Sequence, residues 1–517
     1  MSAIAASPRR AAIGVAAVSL AGKLLAIAKT VLIAGLFGAS LELDAFWVAY
    51  TLPTLLPGVL TSVVTVAFVP RFMASLEGRT GPDAWRGANT LFTAVMAIAL
   101  LATVAIWFGA DALVRALAPG LEPAGAIEAA RLTRLMTPAI PALTLIALLT
   151  ALSNAHERFL LPTMEGVVTN LVLIVAAIAW TPRYGVAALA VGVVAGFVAQ
   201  AAILATGGRG IIRANLRPAL ALRHPDFTAP LGHMLPLLVG SVGAALTALV
   251  NQYFVSRLDA GAISALAFAT MLAFLPVEVF AQAILTTYYP ALGRAFAQRR
   301  LDAAARAHGE ATRFTLLLTL PAAAALWLCA EPIVALLLQR GRFDADAAAS
   351  TSGALAWLSF AIAFRALAYL NYRVLHAALR PWTQVGIGLA GIATNIGLIV
   401  LMLDSLGLVG VALATTASMA QSALLSHFAV RRVLGGERDP SLPRELAKVV
   451  VATAALLAAA ALARAAVAPL FAGYPLHYAA LIELGVAGLA GTAAGLAVAL
   501  ALRQPDLKLL YERFARR

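Results

Sequence analysis

Residues 89–109 read NTLFTAVMAIALLATVAIWFG and contain no ionisable side chain. An α-helix needs a run of roughly 20 apolar residues to cross the hydrocarbon core of a bilayer. The rest of the chain has the same character, because 62% of its 517 residues are hydrophobic, 12% are charged and its mean hydropathy is +0.90. A soluble domain carries about 25% charged residues. The sequence therefore predicts a membrane protein.

Similar apolar windows recur along the whole chain. They fall near residues 11–36, 45–69, 132–153, 163–181, 185–206, 230–256, 263–289, 314–338, 351–372, 382–402, 408–430, 446–468 and 478–502. The loops between them are no longer than roughly 25 residues, too short for a folded soluble domain. We therefore predict an all-α polytopic membrane protein of about 14 transmembrane helices.

The distribution of basic residues predicts the orientation. The chain has 38 Lys and Arg against 24 Asp and Glu, a formal net charge of +14. When loops are assigned alternately to the two sides, about 27 basic residues share the side of both termini and about 7 lie opposite. Cytoplasmic loops are rich in Lys and Arg, so both termini are expected in the cytoplasm. This placement also argues against a nucleic-acid partner, which such a charge would suggest in a soluble protein.

Few motifs of catalysis or metal binding occur in the sequence. Cys329 is the single cysteine, so neither an internal disulfide nor a cysteine-based metal site can form. There is no P-loop, HExxH, GxSxG or dinucleotide fingerprint, and we expect no metal, cofactor or ATP motor. Asp344 and Asp346 form a DxD pair that a metal-dependent glycosyltransferase could use. A role at the start of a helix is the preferred interpretation of this pair.

An internal repeat indicates two matching halves. Pro276 follows Pro57 by 219 residues (276 minus 57), and Pro381 follows Pro162 by the same distance. Such a repeat predicts two pseudo-symmetric six-helix lobes, with a substrate site between them near the membrane midplane. We assign residues 1–206 to the N-lobe, 207–229 to a cytoplasmic linker and 230–432 to the C-lobe. Residues 433–517 would form two extra helices and a basic cytoplasmic tail.

Two lysines lie inside the first apolar window. An ionisable side chain within a membrane helix is costly and marks a transport pathway by default. Lys23 and Lys29 are six residues apart, so their side chains project about 120° apart and can reach one broad cavity. The alternative is that one of them extends to the membrane interface. We interpret both as cavity residues that bind substrate.

Other polar residues within the apolar windows are further candidates. Asp44 lies at the start of the second predicted helix and could cap that helix or act as a counter-ion at the mouth of the cavity. Four more side chains could contribute to ion coupling or line the cavity, or could form buried ion pairs. They are Glu278, Gln282, Arg365 and Asn251.

Three prolines interrupt the apolar helices and could act as hinges. Pro53, Pro57 and Pro276 each remove a backbone hydrogen bond within a predicted span. Broken helices of this kind permit the rocking motion of transporters, although proline kinks are common in membrane helices generally.

Several stretches resemble a known family. They are FGASLELDAFWVAYTLPTLL (37–56), AFVPRF (67–72), ALSNAHERFLLPTMEGVVTNL (151–171), QRGRFDADA (339–347) and NYRVLHAALRPW (371–382). These resemble the MurJ/MviN branch of the multidrug/oligosaccharidyl-lipid/polysaccharide exporter superfamily. The resemblance implies a 14-helix inner-membrane protein with two lobes around a cationic cavity and a groove for a polyprenyl tail at the last two helices. It also implies flipping of lipid II, the undecaprenyl-pyrophosphate-linked peptidoglycan precursor, to the outer face.

The resemblance extends to individual residues. Lys23 and Lys29 match two cavity arginines of the family, and Asp44 matches its aspartate. The sequence departs at Pro57 and Gly58, where the family has paired arginines, and at Met271, where it has one more. Lysine cannot form the bidentate fork that arginine offers to phosphate.

The functional hypothesis is a flippase that works by alternating access. Its partners would be a polyprenyl-pyrophosphate-linked glycan (lipid II or a related molecule), membrane lipids and a coupling ion or the membrane potential. Three alternatives remain open. A drug exporter would need carboxylates in the cavity, a glycosyltransferase would use Asp344 and Asp346, and a scaffold would bind lipid or partners without transport.

Overall fold

The computed structural model describes residues 8–63, 82–437, 439–471 and 473–504. Within these ranges it places only the backbone of residues 8–12, 56, 59–63, 82–84, 225–226, 229–237, 244, 277–287 and 289. All regular secondary structure in the described ranges is helical. The helices are α1 (Pro8–Phe37), α2 (Leu41–Val63), α3 (Pro82–Leu117), α4 (Pro123–Met136), α5 (Ala139–Ala155), α6 (Leu160–Thr163), α7 (Glu165–Tyr184), α8 (Ala187–Gly207), α9 (Arg209–Asn215), α10 (Pro225–Val255), α11 (Ala262–Ala297), α12 (Leu301–Leu328), α13 (Ala330–Leu337), α14 (Ala345–Ala377), α15 (Pro381–Val433), α16 (Leu442–Phe471) and α17 (Leu476–Ala501).

The lengths of these helices fit a membrane protein. In the described part of the chain, 10 helices are long and apolar enough to cross a bilayer, and the pair α4–α5, bent by 44°, raises the number to 11. Each predicted apolar window overlaps one of the helices or one half of α15. The prediction of an all-α polytopic membrane protein is therefore confirmed. The number of 14 spans and the cytoplasmic position of both termini stay predictions.

Two glycines form tight junctions with the same backbone geometry. Gly407 interrupts the 53-residue α15 with φ 52° and ψ −129°, which divides it into two helical segments. Gly185 joins α7 to α8 with φ 55° and ψ −139°. This region of φ favours glycine, which has no Cβ to clash with the backbone. The two junctions are 222 residues apart (407 minus 185), close to the repeat distance in the sequence.

The chain forms two compact units, Met1–Ser264 and Ala265–Arg517. In the first unit α1 packs on α7, α7 packs on α8, and α10 packs on α2 and α3. In the second unit α12 packs on α14 and α16, α14 packs on α15, and α16 packs on α17. The assignment of lobes and linker made from the repeat stays a prediction.

Asp344 begins α14. Its Oδ1 accepts a hydrogen bond of 2.8 Å from the backbone N–H of Ala347, and Asp346 lies in the first turn of the same helix. An N-cap aspartate satisfies a backbone donor that has no partner within the helix. The interpretation of the DxD pair as a helix start is confirmed.

Proline residues lie within two long helices without ending them. α2 contains Pro53 and Pro57, and α11 contains Pro276 and Pro290. Near the first pair, the hydroxyl of Thr54 donates to the carbonyl of Tyr50 at 2.8 Å. Such a bond to a carbonyl one turn back often bends a helix. The hinge role of Pro53, Pro57 and Pro276 stays a prediction.

Candidate functional site

A close contact between α1 and α7 positions the two lysines of α1. A Cβ on Gly22 would come within 3.2 Å of the backbone carbon of Gly166, so this position favours a very small residue, whereas a Cβ on Gly166 would lie 3.6 Å from the Cα of Gly22, an ordinary contact. The side-chain amide of Asn170 donates to the carbonyls of Gly22 (3.3 Å) and Gly166 (2.6 Å). This contact fixes both the distance between the helices and the rotation of α1.

The rotation of α1 determines where its charges lie. Lys29 follows Gly22 by seven residues, which is close to two helical turns, so it lies on the stripe of α1 that faces α7. Lys23 is one residue past Gly22 and projects about 100° away from that stripe. Both side chains are half-buried. No carboxylate in the described ranges pairs with Lys29. The Lys29 ammonium is therefore a positive charge that the described part of the protein does not neutralise.

Glu165 and Tyr50 belong to the same unit, and sequence reasoning did not single them out. Glu165 lies in the first turn of α7, next to Gly166, and is half-buried. It lies near enough to the half-buried Tyr50 of α2 to act on it electrostatically. An acid in the first turn of a helix is ordinary, because it is favoured by the helix dipole. The available signal was a charged residue at one end of a helix whose other charged residue, Arg183, lies at the opposite end.

Asp44 caps the start of α11. Its Oδ2 accepts a 2.7 Å hydrogen bond from the backbone N–H of Gly261, and its Oδ1 accepts from the N–H (2.7 Å) and the hydroxyl (2.6 Å) of Ser264. The residue is only 3% exposed. Capping was one of the two expected roles, but we expected it at the helix that Asp44 itself begins. At α2, Ser40 instead accepts from the N–H of Leu43 at 3.4 Å.

Tight backbone contacts accompany this cap. A Cβ on Gly261, whose φ is 94°, would lie 2.4 Å from the carbonyl oxygen of Ala39. The N–H of Gly120 donates to the hydroxyl of Ser256 at 3.2 Å. The start of α2 and the loop after α3 are therefore fastened to the segment that joins α10 to α11.

The remaining predicted residues lie on helices other than α1. Arg365, on α14 in the second unit, is exposed and places its guanidinium 4.2 Å from the ring centroid of Phe274. This is a cation–π contact. Asn251 is half-buried on α10. The side chains of Glu278 and Gln282 lie outside the described residues.

The positions where the resemblance expected arginines differ in their surroundings. Pro57 is buried and Met271 is half-buried, whereas Gly58 is exposed. Among the described residues, no atom outside the helical stretch that holds Gly58 would lie within 4 Å of a Cβ at this position. A longer side chain could therefore be accommodated there. Over the described ranges, no three His, Cys, Asp or Glu side chains are grouped so that they could hold a metal ion.

Sequence comparisons place the chain among lipid II flippases. The family model described as "Lipid II flippase MurJ" matches residues 33–479. The lipid II flippase MurJ of Burkholderia cenocepacia is 32% identical over 357 residues, 67% of this chain and 69% of that protein. The probable lipid II flippase MurJ of Rhizobium meliloti is 29% identical over 455 residues, 85% of this chain and 84% of that protein.

Solved structures show the same fold. A lipid II flippase MurJ in an inward closed conformation matches with a TM-score of 0.78 at 20% identity, over 96% of this chain and 100% of that one. An inward-facing multidrug resistance transporter of the MATE family matches with a TM-score of 0.65 at 16% identity, over 82% of this chain and 98% of that one. At such identities the likeness concerns the fold alone, which drug transporters and lipid flippases share.

Proposed function

The chain belongs to the lipid II flippase MurJ family, and we propose that it moves lipid II from the cytoplasmic to the outer face of the inner membrane by alternating access. It is a multi-pass inner-membrane protein of a transporter family. The observation that carries the proposal is the match of the family model to residues 33–479, which include the whole of α2 to α16. Its work is transport, without a catalytic step.

Lys29 and Lys23 receive the pyrophosphate of the substrate in this proposal. A diphosphate in a poorly solvated cavity is strongly attracted to nearby cations, because opposite charges interact more strongly at low dielectric. Lys29 is suited to this role because the described part of the protein supplies no carboxylate to compete for it. Lysine acts here as a point charge, so the site fixes the position of the pyrophosphate more than its orientation.

Asp44 has a structural part in the transport cycle. Its three hydrogen bonds hold the start of α2 against Gly261 and Ser264. Asp44 therefore stabilises the contact between the start of α2 and the segment that joins α10 to α11. The proline-containing helices α2 and α11 then supply the bending that opening needs.

The energy for turnover comes from the membrane potential or a coupling ion. Moving one elementary charge across the membrane is worth about 2.3 kcal/mol per 100 mV. The polyprenyl tail remains in lipid along α16 and α17, whose outward faces are apolar. Exposed side chains on these faces include Val450, Val451, Leu462, Leu481, Leu489 and Leu496.

Flipping by the purified chain in liposomes tests the proposal. Fluorescent lipid II in the inner leaflet should become accessible to an external enzyme only in vesicles that contain the protein. Expression should also restore growth to cells depleted of their lipid II flippase. Absence of both effects with folded protein would refute the function.

Export of cationic drugs is the second candidate, and Glu165 is the feature that favours it. A half-buried carboxylate near Tyr50 could attract a cationic drug. Dye efflux from the same liposomes distinguishes the two functions. Efflux that is lost in Glu165→Gln, without flipping of lipid II, would establish the drug exporter instead.

A further inference from the structure

Arg464 is a charged residue within the apolar helix α16, and it is not part of the proposed pyrophosphate site. Its guanidinium donates from Nη1 to the carbonyl of Leu328 (2.7 Å), from Nη2 to Glu331 (2.8 Å) and from Nε to Glu483 (3.2 Å). These acceptors lie at the end of α12, in α13 and in α17. One side chain therefore joins four helices.

Each of the three guanidinium nitrogens of Arg464 donates to an acceptor in this cluster. The last carbonyls of a helix have no partner within the helix, and α12 ends at Leu328, whose carbonyl accepts from Arg464. The Arg464 side chain is 25% exposed and that of Glu483 is 16% exposed, whereas Glu331 is 78% exposed. The fork of the guanidinium is directed at three acceptors, which occupy three of its five N–H donors.

A second charged cluster joins α12 to the segment that precedes α16. Nη1 of Arg313, on α12, donates to Oδ2 of Asp439 and to the hydroxyl of Ser441, both at 2.9 Å. Asp439 also accepts from the N–H of Ser441, just before α16 begins. The approach is close, because a Cβ on Gly309 would lie 2.6 Å from the Cβ of Asp439. The Arg313 and Asp439 side chains are mostly buried.

The two clusters are far apart, and apolar packing fills the space between the helices. Arg313 and Leu328 are 15 residues apart on α12, about 22 Å at 1.5 Å per residue. Cys329, Ala460 and Ala487 form one buried cluster that joins α16 and α17 to the break after α12. Cβ atoms on Gly491 and Gly495 of α17 would lie within about 3.1 Å of atoms of α16, so these two helices are in close contact.

We propose that Arg464 and Arg313 are positioning residues that fasten the α16–α17 pair to α12 and α13, so that these helices move as one body during transport. One ion-pair cluster would act as a pivot about which α16 could tilt. The Arg464 and Arg313 clusters hold α16 at two separate points, which prevents it from both tilting and sliding against α12. In the proposed flippase, the lipid tail lies along the outward faces of α16 and α17. These faces therefore move together with α12 and α13. The statement about transport rests on the proposed function, while the fastening itself does not.

Pulsed electron paramagnetic resonance on the full chain in nanodiscs tests the fastening. In a Cys329→Ala background, spin labels are placed at Trp327→Cys on α12 and Leu489→Cys on α17, both exposed positions. The expected result is one narrow distance distribution that does not change when undecaprenyl pyrophosphate is added. A shift of the distance upon addition would overturn the proposal.

Variants identify the side chains that do the fastening. Arg464→Gln combined with Arg313→Gln should at least double the width of the distribution, and Arg464→Lys should partly restore it in the Arg313→Gln background. Glu483→Gln is a milder substitute where the double variant does not fold. Arg306→Gln is the matched control, because it removes an exposed ion pair within α12, to Asp302. An unchanged width in the double variant would overturn the proposal.

Transport assays separate this inference from the proposed function. Arg464→Gln should slow flipping of lipid II about tenfold or more while binding of undecaprenyl pyrophosphate is retained. Flipping at the wild-type rate in a variant with a broadened distribution would show that the fastening is irrelevant to transport. Failure of the wild-type chain to flip lipid II would count against the proposed function alone, because the distance measurement does not depend on it.

Discussion

The protein treats two lysines on apolar helices in opposite ways. On α16, the ammonium of Lys448 lies 2.7 Å from Oε1 of Glu445, and the two side chains are 15% and 10% exposed. On α1, Lys29 is half-buried, and no acid in the part of the chain that the structure describes pairs with it. The comparison separates charges that belong to the packing of the protein from a charge that is left available for a ligand.

The cost of an uncompensated charge explains why this difference matters. A charged side chain near the centre of a membrane helix costs at least about 2.5 kcal/mol, and a nearby opposite charge offsets much of that cost. In the second unit, Lys448, Arg464 and Arg313 each form an ion pair with a carboxylate. In the first unit, no carboxylate among the described residues pairs with Lys29. We attribute this difference to the binding of an anionic substrate.

The largest effect is expected from removal of both α1 lysines. Lys23→Ala combined with Lys29→Ala should lower the rate of lipid II flipping about 100-fold, because each charged contact to a ligand is worth about 1.5–3 kcal/mol. The melting temperature of the single variant Lys29→Ala should change little, since Lys29 stabilises no ion pair among the described residues. The rate is measured in proteoliposomes. Unaltered flipping would show that the two lysines are not needed for transport.

A large loss of stability is expected at Asp44. Asp44→Ala leaves the N–H groups of Gly261 and Ser264 and the Ser264 hydroxyl without their acceptor, and should lower the free energy of unfolding by about 3 kcal/mol. Denaturation of the detergent-solubilised protein measures this change. Ser264→Ala removes one of the three bonds and should cost only about 1 kcal/mol. Equal stability of Asp44→Ala and the wild type would show that the cap is unimportant.

Adding a cation to the first unit should sharpen the comparison. Gly58→Arg places a positive charge at a position where a Cβ meets no atom of the described residues outside its own stretch of helix within 4 Å, so we expect the variant to fold. If Gly58 borders the pathway of the pyrophosphate, flipping should rise about threefold, equivalent to about 0.7 kcal/mol. Gly58→Met controls for side-chain size. Equal flipping rates in the wild type, Gly58→Arg and Gly58→Met would show that Gly58 does not border the pathway of the pyrophosphate.

The smallest effect concerns the two acids that bind Arg464. Glu331→Gln should change the free energy of unfolding by less than about 0.5 kcal/mol, because exposed ion pairs contribute little. Glu483→Gln should cost more, since Glu483 is only 16% exposed. Parallel thermal melts test the ranking. A larger loss of stability in Glu331→Gln than in Glu483→Gln would contradict the claim that the less exposed ion pair contributes more.

The sequence was sufficient for the fold because apolar length alone identifies membrane helices. The predicted windows at 382–402 and 408–430 coincide with the two segments of α15 on either side of Gly407. The start of α14 at Asp344 was also predictable, because capping is a local property of a few residues. The two lysines of α1 could be identified as candidate site residues because lysine is rare within an apolar run.

The partners of the charged residues could not be predicted, because they are distant in the chain. Asp44 binds Gly261 and Ser264, more than 200 residues away, so its sequence neighbourhood suggested a cap for the wrong helix. The acceptors of Arg464 at Leu328 and Glu331 precede it by more than 130 residues. Glu165 was missed because its local context has an ordinary explanation in the helix dipole.

Binding of undecaprenyl pyrophosphate to Lys29→Ala and to Lys448→Ala tests the central claim most directly. In nanodiscs, native mass spectrometry should show affinity about tenfold or more weaker for Lys29→Ala, a loss of about 1.4 kcal/mol. Lys448→Ala should bind as the wild type does, although leaving Glu445 unpaired makes it less stable. Equal binding by the two variants, or a loss confined to Lys448→Ala, would contradict the claim that the protein reserves Lys29 for its anionic substrate.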